Sequence, residues 1–340
     1  MDRRDKIISK CNLNGAGLEI GPSINPVVPK CDGYNIETID HTDKKGLIEK
    51  YSSHGINLDK IEEVDYVWNG ESYKELTGKI NHYDYIIASH VIEHTCDLIA
   101  FLCDCSELLN ENGVLSLVIP DKRFCYDYFR PVTCISQVID RHLSKCTFNS
   151  PGSVYDYYSS VCFCGDNLAW EGLHPPFDVG LAYDTSDAKE AYLEVLNNEK
   201  YIDIHNWVFT KNSFELIIHN LNCLDLIDLV VAESFDTKGH EFYVSLVKRD
   251  VPFQSSKEER LRLTLNAKNE LEPGEPDKYS TEKINGLKEY IDKQYETIKE
   301  QKEQIAAQNE QIENIYKSKT YKTGEKIQKI YRKFVPGKIR

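Results

Sequence analysis

No stretch of the 340 residues approaches the roughly 20 consecutive apolar residues that span a bilayer, so a membrane-embedded fold is not expected. The opening "MDRRDKIISKCNLNG" lacks an apolar core and does not read as a secretion signal. The expectation is a cytoplasmic protein whose eleven cysteines are reduced. Cys162 and Cys164 are one residue apart, which is not the C-x-x-C spacing of a zinc knuckle. Positive charge is in deficit. A net charge of −14 excludes a general nucleic-acid binder, because neutralising phosphates needs a basic surface. No G-x-G-x-x-G follows the first strand-like segment. Its absence argues against a pyrophosphate cofactor such as NAD or FAD and for a nucleoside cofactor without phosphates.

What is present is the composition of a folded soluble protein, 41% apolar and 28% charged, with ample material for a core. The first 123 residues alternate strand-like and helix-like segments. "GAGLEIG", "YNIETIDH", "IEEVDYVW", "YDYIIASH" and "VLSLVIPD" read as strands, and "DLIAFLCDCSELLNENG" as a helix stopped by Gly113. "YDYIIASH" is almost wholly apolar, as a strand buried on both faces should be. This alternation predicts βαβ units and a mostly parallel, doubly wound α/β sheet.

The rhythm breaks over 124–205, an irregular stretch dense in aromatics such as Tyr126, Tyr128, Tyr157, Tyr158, Trp170 and Tyr183. It reads as an insertion whose rings suit flat, partly apolar faces, including sugars. After it, "TKNSFELIIHNLN" reads as a helix, and "LDLIDLVVAES" and "EFYVSLVKR" as an antiparallel hairpin closing the sheet. Residues 250–278 read as a polar linker. Isoleucines then recur at 284, 291, 298, 305 and 312. Leu287, Gln294, Gln301, Gln308 and Ile315 fill the companion seam position. This predicts a coiled coil over 279–316 that joins the chain to itself as a trimer or dimer. Residues 317–340 carry nine Lys or Arg and one Glu; subtracting that +8 from −14 leaves −22 on the rest. Ile327, Ile330, Tyr331 and Phe334 give this tail an apolar stripe, so it reads as a basic amphipathic helix suited to an anionic membrane surface.

Ligands of open α/β sheets bind at the carboxyl ends of the strands. Glu19 and Gly21 fall where the first strand turns, and Asp40 ends the second, where a carboxylate can accept ribose hydroxyls. Asp65 stands near the third strand, and Ser89 opens "SHVIEH" at the end of the fourth. His90, Glu93 and His94 are spaced i, i+3, i+4; in the first turn of a helix they share one face. Three uses are open to them: an acid or base, a metal site, or a helix start. A neutral imidazole near pH 7 can accept a hydroxyl proton, and His90 is the leading candidate. A divalent cation on His90, Glu93 and His94 is the less favoured reading. His94 is assigned to packing back on its helix. His174 and His205 are further candidate bases, and Asp121, Lys122 and Arg123 are placed at the cleft rim, able to meet an anion or to pair with one another.

The ordered series "GLEIG", "IDH", "YDYIIASHVIEH" and "NGVLSLVIPD" resembles the motifs of class I S-adenosylmethionine-dependent methyltransferases. "NWVFTKNSFELI" resembles the element before their final hairpin, and the resemblance covers residues 12–249. It implies a seven-stranded Rossmann-like methyltransferase domain over 1–249, with 124–205 as the substrate-binding insertion and S-adenosylmethionine as the cofactor. It also implies that Glu19 and Gly21 flank the methionine moiety, that Asp40 binds the ribose, that Asp65 is the adenine-side acid, and that Ser89 lies beside the cofactor. His90, His94 and Asp121 then stand as the candidate catalytic residues. The chain departs from the family pattern after Gly21, with Ser23 and Asn25 at the later small-residue positions. A methyltransferase domain followed by a coiled coil and a basic tail is similar in layout to enzymes of bacterial surface-polysaccharide (O-antigen) assembly. That layout implies O-methylation of a glycan or glycan phosphate as a chain terminator, a glycosyltransferase partner, and peripheral attachment to the inner face of the cell membrane. The alternatives are methylation of a small soluble metabolite and an inactive coiled-coil scaffold that keeps the fold.

Overall fold

The apolar runs become strands in a computed structural model of the chain. It describes residues 1–53, 55, 57–171, 179–198 and 201–272, and beyond them 293, 294, 297–308, 311, 314, 317 and 319–334. The strands are β1 (Gly17–Ile20), β2 (Ile36–Asp40), β3 (Tyr66–Val67), β4 (Tyr83–Ser89), β5 (Leu109–Pro120), β6 (Cys162–Cys164), β7 (Val179–Leu181), β8 (Leu229–Lys238) and β9 (Glu241–Lys248). Seven of them form one sheet in the order β3-β2-β1-β4-β5-β9-β8. β1 to β5 pair in parallel, and β9 runs antiparallel between β5 and β8. The expected hairpin therefore closes the sheet, with Gly239 at φ +67° making the sharp turn that a side chain would resist.

The helices are α1 (Arg3–Ile7), α2 (Lys44–Tyr51), α3 (Tyr73–Thr77), α4 (Leu98–Leu108), α5 (Ile135–Leu143), α6 (Pro151–Ser160), α7 (Thr185–Asn198), α8 (Lys211–Cys223), α9 (Lys257–Leu271) and α10 (Lys319–Phe334). They explain why β4 is apolar on both sides. Tyr83, Ile86 and Ala88 join one core with Leu102 of α4 and Phe214 of α8. Tyr85 and Ile87 join another with Ile7 of α1 and Tyr243. Leu102 and Phe214 are wholly removed from water, each contributing roughly 1.5–3 kcal/mol of transfer free energy. The strand order reverses between β1 and β4, and a ligand crevice opens at such a point.

Four local expectations are corrected. Gly113 does not stop a helix: α4 ends at Leu108, Leu109 turns extended, and Gly113 lies inside β5, where a Cβ would come within 2.9 Å of the Tyr83 carbonyl oxygen. The 124–205 insertion is not irregular. It holds α5, α6, α7 and the β6-β7 ribbon, and α6 and α7 share a core of Val154, Ala191, Val195 and Ile204. The 250–278 linker is not wholly a linker either, because 257–271 form α9. Ser256 caps it, and Leu263 and Ala267 are buried where it packs on α8. The "SHVIEH" stretch is the fourth, described with the site. The chain divides into two units, Met1–Glu272 and Pro273–Arg340.

In the second unit, residues 297–308 are helical and α10 spans much of the basic tail. Ile298 and Ile305 are exposed, as are Gln294, Gln301 and Gln308, while the other apolar seam residues, Ile284, Leu287, Ile291, Ile312 and Ile315, lie outside the described residues. Among the described residues no helix is long and apolar enough to cross a membrane.

Candidate active site

The turn after β1 is built around a buried acid. Glu19 accepts the Val27 N–H at 2.8 Å and the Val28 N–H at 3.2 Å, which curls the following loop over the strand end. Burial pushes its carboxyl up to about 7, against the pull of those two N–H groups. Gly21 turns at φ +65°, where a Cβ would lie 2.8 Å from Val91 Cγ2. Only glycine allows that approach, and it seats the β1 turn directly against the segment after β4. Ser23, at φ +50°, donates its N–H to Asp40 Oδ2 at 3.0 Å. Asp40 also accepts from the His41 N–H at 2.8 Å and lies 2.6 Å from its Nδ1.

Glu19, Gly21 and Asp40 are thus brought together at the carboxyl edge of the sheet. Asp65 is not. It precedes β3, at that strand's amino end, and is spent on the Thr38 N–H, the Thr38 hydroxyl and Lys30. The adenine-side assignment is withdrawn on that ground.

The stretch after β4 does not continue into a helix. His90 sits at φ +55°, Ile92–His94 make one 3-10 turn, and α4 starts only at Leu98, capped by Asp97. The three side chains therefore do not share a helical face. His90 turns back toward the hairpin: its Nε2 lies 2.8 Å from Glu241 Oε2, and its Nδ1 3.5 Å from Glu93 Oε1. Glu241 is clasped by Arg3 at 2.7 and 3.1 Å and by the Tyr243 hydroxyl at 2.7 Å. Arg3 also donates to the Ser89 hydroxyl at 3.1 Å, so Ser89 is tied to this clasp. Burial works against charge on His90, but Glu241 and then Glu93 push its pKa up to about 9. Two carboxylates beside His90 favour its imidazolium form, against the neutral base expected at pH 7.

Glu93 is fully buried, and neither carboxylate oxygen has a hydrogen-bond partner. Burial opposes its charge, yet the surrounding imidazoles, His90 foremost, hold its carboxyl below the ordinary range. At 3.5 Å the His90 contact is an ion pair outside hydrogen-bond geometry, and His205 Nε2 stands 3.9 Å from Glu93 Oε1. The Glu93 carbonyl accepts the N–H groups of Asn206 and Trp207 at 2.7 and 3.1 Å, which straps the end of the insertion onto this turn. His94 does not pack back on a helix. Its Nδ1 lies 2.8 Å from Asp203, and its ring meets His205 edge to face at 4.7 Å.

Sequence reasoning passed over the network behind His205. Its Nδ1 lies 2.5 Å from Asp127 Oδ2 and its Nε2 2.6 Å from the Tyr126 hydroxyl. Buried Arg130 donates to Asp127 at 2.7 Å and to Asp156 at 3.0 Å. The available signal was charge inside an aromatic run, Asp127 and Arg130 in "CYDYFR", since buried charges need partners. His174 lies outside the described residues.

Asp121 is corrected as a rim residue. It is wholly buried and saturated by the Arg123 N–H and guanidinium and by the Thr237 hydroxyl. Lys122 donates to the Tyr128 carbonyl at 2.7 Å.

The fold is Rossmann-like. No protein-family model and no curated protein matches the chain. Among solved structures, it is similar to a SAM-dependent methyltransferase from Aquifex aeolicus, at 13% identity, 72% of this chain, 88% of that one and a TM-score of 0.36. The CcbJ methyltransferase from Streptomyces caelestis matches at 11% identity over 73% of this chain and 97% of its own, with a TM-score of 0.38. A Rhodobacter sphaeroides chain assigned to the Zn-dependent alcohol dehydrogenases matches at 11% identity, 73% and 90% coverage and a TM-score of 0.37. Likeness this distant carries no chemistry. The strand order of the sheet itself supports the Rossmann-like reading.

Proposed function

We propose that the chain is an S-adenosylmethionine-dependent O-methyltransferase acting on a hydroxyl of a glycan or glycan phosphate. The supporting observation is the meeting of the Glu19–Ser23 turn, Asp40 and the His90–Glu93 turn at the switch point of the sheet, in contact through Gly21 and Val91. When bound there, S-adenosylmethionine supplies an electrophilic methyl group for in-line displacement. The chain's own part is positional. Asp40 is buried and already meets the Ser23 N–H, the His41 N–H and the His41 ring, and of about four lone-pair sites on a carboxylate one is left for a ribose hydroxyl. Gly21 keeps side-chain atoms out of the turn. The Arg3–Glu241–His90 clasp fixes the floor beside it.

A sugar acceptor suits the insertion. Tyr126, Tyr157, Tyr158 and Tyr183 form a run of rings at centroid spacings of 6.0, 5.5 and 4.6 Å, leading from the half-exposed Tyr183 inward to His205. The rings meet edge to face or tilted, at 80°, 69° and 43°, and aromatic faces suit the flat faces of sugars. The setting in surface-polysaccharide assembly, self-association through 279–316, a glycosyltransferase partner and membrane attachment through the basic tail belong to the same proposal.

Calorimetry with S-adenosylmethionine and S-adenosylhomocysteine tests it. Binding is expected, and Asp40→Ala should weaken it by about 1.5–3 kcal/mol, the range for a hydrogen bond to a charged group. No binding of either nucleoside by the folded wild-type chain overturns the reading, and equal affinity in the variant removes Asp40 from the ribose.

A further inference from the structure

Two groups of side chains in the described residues could hold a cation: His90, His240 and Glu241; and Glu93, His94 and His205. They differ in what their carboxylate already does. Glu241 has both oxygens engaged, by Arg3, Tyr243 and His90, and the guanidinium already neutralises it. Glu93 has both oxygens buried without a hydrogen-bond donor. A buried carboxylate lacking donors is a costly arrangement that a native fold keeps for a reason.

We propose that Glu93, His94 and His205 bind a divalent first-row transition cation. Their ligand atoms lie within 4.8 Å of one another, close enough to converge on one ion with small side-chain movements. Two imidazoles and one carboxylate form a set suited to zinc, iron or cobalt, and three protein ligands leave coordination positions open. The support behind the ligands has the same character. His205 gives its Nδ1–H to Asp127, which fixes the tautomer that presents an Nε2 lone pair; the Tyr126 hydroxyl now donates to that lone pair. A carboxylate behind a histidine in this way orients metal-bound imidazoles. Asp203 stands 2.8 Å from His94 Nδ1 at ion-pair distance, outside hydrogen-bond geometry, so the orienting carboxylate of the site is Asp127. The loop carrying His205 is strapped to the Glu93 carbonyl through Asn206 and Trp207, so ligands distant in sequence are held together by backbone. The site stands whether or not the chain transfers methyl groups; if it does, the open positions would be available to an acceptor oxygen.

The test is titration of the chelator-treated full-length chain with Co²⁺, read by its d–d absorption. Cobalt distinguishes the ligands, because thiolates of the eleven cysteines would add an intense charge-transfer band that imidazoles and carboxylates do not. One equivalent is expected, without that band. Asp127→Asn should weaken it by about 10–100-fold, as loss of an outer carboxylate does, and Glu93→Gln by at least as much. His240→Ala should leave it unchanged. Far-UV circular dichroism checks that each variant folds, and Asp127→Asn carries the test if Glu93→Gln does not. Absence of cobalt binding, binding with a thiolate band that survives both variants, or binding lost in His240→Ala overturns the proposal. Calorimetric binding of S-adenosylhomocysteine separates failure of this site from failure of the nucleoside site.

Discussion

Glu19 and Glu93 are both buried acids at the carboxyl edge of one sheet, and they are opposites. Glu19 has two backbone N–H groups aimed at its oxygens and no imidazole beside it. Glu93 has three imidazoles around it and no donor in hydrogen-bond geometry. Burial pushes both carboxyls up; it prevails at Glu19, whereas at Glu93 the imidazoles, His90 first, together outweigh it. A carboxylate fed by the main chain shapes a loop. A carboxylate ringed by side chains and left without donors is free to do chemistry. The difference lies in the partners, and burial alone would not reveal it.

The contrast breaks most readily at the network that supports the Glu93 side. Arg130→Met leaves Asp127 buried without its guanidinium, and loss of one partner of a buried pair costs about 3–5 kcal/mol. Urea denaturation should show that loss. A cost under 1 kcal/mol would mean that His205 alone neutralises Asp127.

The pH dependence of Glu19 comes next. Its folded carboxyl is raised from an ordinary 4.5 to about 7, so the native state holds a proton that the unfolded state has released. This group's contribution is fully present below about 4.5 and is lost as pH rises through about 7, a total on the order of 3 kcal/mol. The stability difference between wild type and Glu19→Gln, measured from pH 4.5 to 8, should carry that slope. A flat difference would place the ionised form in the fold at every pH.

Smaller effects separate the two acids directly. Glu19→Gln turns an NH₂ toward one of two buried N–H groups and should cost about 1–3 kcal/mol at pH 8. Glu93→Gln should change stability by less than about 1 kcal/mol in chelator, because no hydrogen bond is lost and His90 keeps Glu241 as its counter-charge. Equal costs would erase the distinction drawn between them.

The sequence was most legible where one physical demand acts alone. β4 had to be apolar on both faces because it lies at the centre of a covered sheet, and it read so. The positions of Gly21 and Asp40 were legible because each follows or ends a short apolar run, and the structure puts both at strand ends. "SHVIEH" misled because helical spacing was assumed before a helix was shown; His90 in the left-handed region breaks that spacing at its first residue. α9 escaped because only Leu263 and Ala267 of its fifteen residues are buried, too few for an apolar stripe to stand out. The pairing of Asp127 with His205 crosses 78 residues and leaves no local periodicity to read.

The insertion leaves and rejoins the sheet at one place. Asp121 and Phe209 meet in a single parallel bridge, the Lys122 N–H donates to the Phe209 carbonyl, and the Thr133 N–H donates to the Val208 carbonyl. The two ends of the segment are joined there by main-chain bonds that do not depend on which side chains lie beyond them, while Val138 in the main core and His142 on Asp97 anchor its first helix. With its ends joined in this way, the outer part of the segment, α6, α7 and the β6-β7 ribbon, can lengthen or shorten without disturbing the strands behind it. Under the function proposed above, the nucleoside end can stay fixed while the choice of acceptor drifts.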